Sequence, residues 1–82
     1  MDREAARITD LVIEAGALVD WLETGRGDLE IVGAALLYLR DELCRLADDT
    51  QDPEACQAAC GMVDAIDELL AHPPVVPQRH AA

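Results

Sequence analysis

The sequence predicts an all-α fold: a small antiparallel three-helix bundle with helices over residues 3–24, 29–48 and 53–72, an extended tail over 73–82, and a dimeric assembly. Three observations carry this expectation. Apolar residues recur at alternating spacings of three and four in three separate runs, the period of one helical face. Between the runs stand residues that stop and start helices, Gly25 and Asp28 at one junction and Asp52 with Pro53 at the other. The apolar complement, 51% of the chain, is almost wholly aliphatic, with no Phe, one Trp (Trp21) and one Tyr (Tyr38). Leu, Val, Ile and Ala must therefore build the interior, and an Ala-rich core suits closely packed helices.

The first helix starts at Asp2, placed to cap it, and carries Ile8, Leu11, Val12, Ala15, Leu18, Val19 and Leu22 along its inward face. It ends at Gly25, where a helix terminus favours a left-handed residue. Gly27 keeps the link flexible and Asp28 caps the next helix. Trp21, one position off the seam, either packs over this turn or stands at an interface as an anchor. Arg26, Gly27 and Asp28 spell a cell-adhesion tripeptide of extracellular proteins, but the helix junction accounts for each of the three.

In the second helix Leu29, Val32, Leu36, Leu39, Leu43 and Leu46 form a seam, and Ile31, Ala35, Leu37, Tyr38 and Cys44 widen the apolar arc beside it. That is more apolar surface than contact with one neighbour hides, so this should be the central helix. It fades where Asp48 and Asp49 crowd the negative end of the helix dipole. The third helix begins with a capping residue followed by proline, Asp52 and Pro53, and its seam is Cys56, Ala59, Val63, Ile66 and Leu70. Ala55, Met62 and Leu69 make an extra row. The helix stops at His72 because Pro73 and Pro74 cannot continue it. Gly16, Gly33 and Gly61 fall inside helices, each at a cost of about 1 kcal/mol relative to Ala, which suggests close approach of backbones.

Eighty-two residues make one domain with a thin core. The surplus apolar positions then need a cover, either a second copy in a homodimer or another protein, with Ile31, Ala35, Leu37, Tyr38, Trp21 and Met62 as the interface.

Charge narrows the partner. Seventeen Asp and Glu against six basic residues give a formal net charge of −11. Such a field repels nucleic acid and anionic membranes and attracts a protein with a basic surface. The candidate acidic face comprises Asp10, Glu14, Asp20, Glu23, Asp41, Glu42, Asp64, Asp67 and Glu68. Solubility alone is the plain alternative.

No catalytic pattern is present. The chain has no serine, no glycine-rich phosphate loop and no Glu followed three residues later by His. His72 suits a helix end, and His80 lies in the tail. Cys44, Cys56 and Cys60 are odd in number and sit among apolar neighbours, so they read as reduced, buried core thiols, and a metal site would need a second ligand pair that the spacing lacks. Neither a metal nor another cofactor is expected. An acidic N-terminus in place of a signal peptide, and an apolar run from Ile31 to Leu39 far short of a membrane span, point to the cytoplasm. The resulting expectation is a non-enzymatic regulator or inhibitor, of the nucleic-acid-mimic, phage-inhibitor or antitoxin kind, that docks on a basic protein surface. A structural adaptor using its apolar helix face is the alternative, and a metal-binding protein the remote one.

Overall fold

The computed structural model describes residues 2–73. Three helices account for nearly all of them: α1 (Arg3–Glu23), α2 (Leu29–Asp49) and α3 (Pro53–Ala71). The starts are the expected ones, and each end differs by a single residue, with Thr24, Thr50 and His72 as the C-terminal caps. Of the expected tail, residues 74–82 lie outside the described residues.

Local chemistry fixes each start. The Asp2 carboxylate accepts from the Ala5 N–H at 2.6 Å, Asp28 from the Glu30 N–H at 2.8 Å, and Asp52 from the Glu54 N–H at 3.0 Å. Each satisfies a backbone donor that a helix leaves unpaired in its first turn. At the end of α1 the Gly25 N–H donates to the Leu22 carbonyl and the Arg26 N–H to the Trp21 carbonyl, the paired bonds of a Schellman stop. Gly25 takes a φ of 76°, as its place requires. Gly27, expected only to loosen the link, is also left-handed at φ 79°, and a Cβ there would meet Val32 Cγ2 at 3.1 Å and approach the Trp21 ring. The turn is thus a defined structure, with Trp21 beside it.

Long-range contacts fix the directions. Gly33 faces Leu70, Arg40 bonds Asp67, and Cys44 lies across a groove from Cys60, so the α3 number falls as the α2 number climbs. The α1 start meets the α2 end through Asp2 and Thr50, and the α1 end meets the α2 start around Gly27. The order is therefore up, down, up, and every pair of helices packs together. No helix is central, contrary to expectation for α2. Three mutually packed cylinders give each helix two neighbours and leave its third side open.

Ile8, Leu11, Leu36, Leu43 and Ile66 are fully buried, as are the small side chains of Ala5, Ala15 and Ala59. No polar side chain is buried among the described residues. The row Ala55, Met62 and Leu69 is not surplus. Leu69 is buried, and Ala55 and Met62 pack against the core. Met62 was expected at an interface but turns inward, its methyl 3.7 Å from where a Cβ on Gly16 would stand. Close backbone approach does not explain the helical glycines either: a Cβ on Gly33 would make an ordinary 3.5 Å contact with Leu70, and one on Gly61 would meet nothing within 4 Å.

Candidate functional site

Successive residues of a helix turn by about 100°, so the residues opposite the α2 seam follow directly from its register. Val32, Leu36, Leu39, Leu43 and Leu46 are buried. Ile31, Ala34, Ala35 and Tyr38, at i, i+3, i+4 and i+7, consequently point away from the bundle, with Leu37 on the adjoining turn. Their exposure is large: 70% for Ile31, 66% for Tyr38 and 51% for Leu37. They form one apolar strip along the N-terminal half of α2, bracketed along the helix by Glu30 and Asp41. Leu29, counted in the seam by its spacing, is nearly half exposed at the first turn of α2. Trp21 is half exposed at the α1–α2 corner, and Ile13 stands alone on α1.

The nine carboxylates expected to make an acidic face are spread over all three helices. Asp10, Glu14 and Asp20 are exposed on α1 and Asp41 on α2. Glu23 and Glu68 line a groove between α1 and α3 with His72. Asp67 accepts from Arg40 through Nε at 2.5 Å and Nη2 at 3.3 Å, and Arg40 also pairs with Asp41 at 3.5 Å. Glu42 is bonded by Arg45, which also reaches Asp49 at 3.8 Å. Two of the chain's six arginines, Arg40 and Arg45, are therefore paired with neighbouring acids. Spacing alone cannot reveal this, because the Arg40–Asp67 contact joins positions 27 apart.

Asp2 has a wider role than capping. Its carboxylate also accepts from the Gln51 N–H at 2.9 Å and from the Thr50 hydroxyl at 3.0 and 3.1 Å. Hydrogen bonds from the Gln51 and Ala5 amides, with a smaller one from the Thr50 hydroxyl, hold its pKa below the usual 3.8.

The cysteines depart most from expectation. All three are free, but Cys44 and Cys60 are exposed and Cys56 only half-buried. Cys44 follows the buried Leu43, and one residue's rotation carries it out of the core to the α3 edge. There it lines a groove of about 210 Å³ with Ala47 and Asp48 from α2 and Cys60, Val63 and Asp64 from α3. Groove walls withdraw water from the Cys60 sulfur even though the residue as a whole is exposed. That desolvation, with Cys56, Asp64 and Cys44 nearby, pushes its pKa up.

Among the described residues, no three His, Cys, Asp or Glu side chains are arranged to hold a metal ion, and no helix is long and apolar enough to cross a membrane. No family model matches the chain, and no curated protein or solved structure does so.

Proposed function

We propose that the protein is a non-enzymatic, cytoplasmic docking module that binds a basic amphipathic segment of another protein, with the outer strip of α2 as its contact. The observation that carries this reading is the continuity of Ile31, Ala34, Ala35, Leu37 and Tyr38 on one exposed helix face inside a strongly negative surface. Isolated apolar side chains on a surface need no explanation, but a contiguous strip does. Charge complementarity selects the occupant. Glu30 and Asp41 flank the strip, Arg40 and Arg45 are held by neighbouring carboxylates, and the net charge is −11. An apolar helix face edged with Lys or Arg would cover the strip and find acids on its rim, the helix-in-groove mode of recognition. Inhibition of a larger protein, by occupying its basic surface, is the regulatory form of the same binding.

A labelled Leu/Lys amphipathic helical peptide is a direct probe, read by fluorescence anisotropy. Binding should weaken by about tenfold or more in both Tyr38→Glu and Ile31→Glu, with helix content unchanged, and should also weaken as salt rises to about 0.5 M. Equal binding by the native chain and both variants would overturn the reading. A second reading rests on Ala34 and Ala35, whose small side chains let an identical α2 approach across a two-fold axis. In that case sedimentation would give a dimer that Tyr38→Glu dissociates, with no capture of the peptide.

A further inference from the structure

We propose that Cys44 and Cys60 form a soft-metal site between α2 and α3, which takes a Cu(I) ion as a two-thiolate complex. The inference does not depend on the docking reading, since the groove lies on the α3 side of α2 and shares no residue with the outer strip.

Placement is the first support. Antiparallel register brings thiols from two helices to one groove, where both are exposed and unpaired. A cysteine used only as a small core residue would sit among the buried positions, and neither does. The third thiol, Cys56, lies one turn before Cys60 on α3 and is half-buried, outside the groove lining.

Donor chemistry then selects the ion. Two sulfurs are soft ligands, which favour Cu(I) over hard cations such as Mg²⁺ or Ca²⁺. Structural zinc wants four ligands, and no third one is positioned. Asp48 and Asp64 line the same groove and add a field that draws in a cation, while Ala47 and Val63 form apolar walls. Arg40, one turn before Cys44, is engaged by Asp67. As the ion binds, each thiol releases its proton to solvent and forms a sulfur–copper bond. No electron is transferred, and the bis-thiolate complex carries one negative charge.

The test uses the full reduced chain under anaerobic conditions, with Cu(I) supplied as its bicinchoninate complex. Native mass spectrometry should show one copper per chain, withdrawn from the competitor. Cys44→Ser and Cys60→Ser should each lower affinity by about tenfold or more, and Cys56→Ser by less, with circular dichroism unchanged. Serine is close to cysteine in shape and both ligand positions are exposed, so folding is not at risk. Failure of the native chain to take copper from the competitor would overturn the assignment. So would Cys44→Ser binding as tightly as the native chain, which would place the ion on α3 alone, or one copper shared between two chains.

Discussion

Both faces of the N-terminal half of α2 are apolar, and their fates are opposite. On one, Val32, Leu36, Leu39, Leu43 and Leu46 reach the axis of the bundle; on the other, Ile31, Leu37 and Tyr38 stand in solvent. The difference teaches that hydrophobicity alone does not decide what a small bundle buries. With three helices in mutual contact, each has two neighbours, and an apolar arc wider than their contact remains uncovered however greasy it is. The inner face holds the fold together, and the outer one stays exposed.

Substitution can break that contrast, and the largest effect belongs to the inner face. Leu43→Ala empties a fully buried site and should cost about 2–5 kcal/mol, read as a fall in the urea midpoint at unchanged slope. A loss below about 1 kcal/mol would mean that the inner face is loosely packed. Removal of the Asp2 carboxylate should come next, because one group serves α1, Thr50 and Gln51. Its pKa is lowered in the folded chain, so its contribution is complete above the unfolded value of about 4 and is lost as pH falls through the lower folded one. Thermal melts of native and Asp2→Ala chains should therefore differ at neutral pH and converge in acid below about pH 4.

Gly61→Ala tests the open side of α3. A Cβ there meets nothing within 4 Å, so the change should stabilise the chain by about 0.5–1 kcal/mol through backbone entropy. A loss of stability would show that the outer surface of α3 is covered in solution. The smallest effect is expected on the outer strip of α2, where Tyr38→Ser should shift stability by no more than about 0.5 kcal/mol. A large loss, dependent on protein concentration, would reveal that the strip is buried against a second copy.

Much of this architecture was legible in the sequence because its signals are local. Asp2, Asp28, Asp52 with Pro53, and Gly25 each act within a few residues of themselves, and each performs the expected task. The seams followed from the spacing of threes and fours. Spacing defines a row, however, and not the rotation of that row against its neighbours. Met62 and Cys60 show the consequence. Met62 was expected at an interface and Cys60 in the core, yet rotation sends Met62 toward α1 and Cys60 to the α2 groove. The candidate site was half legible. Ile31, Leu37 and Tyr38 stood out as surplus and are exposed, while pairings such as Arg40 with Asp67 exist only in the assembled bundle.

The Asp2 clamp has a consequence for how the molecule breathes. Helix ends ordinarily fray independently, with opening energies near zero. Here the first turn of α1 and the linker ahead of α3 share one acceptor, although 48 positions separate Asp2 from Thr50. Opening either weakens the hold on the other, so replacing Asp2 by Ala should speed amide exchange at both Ala5 and Gln51.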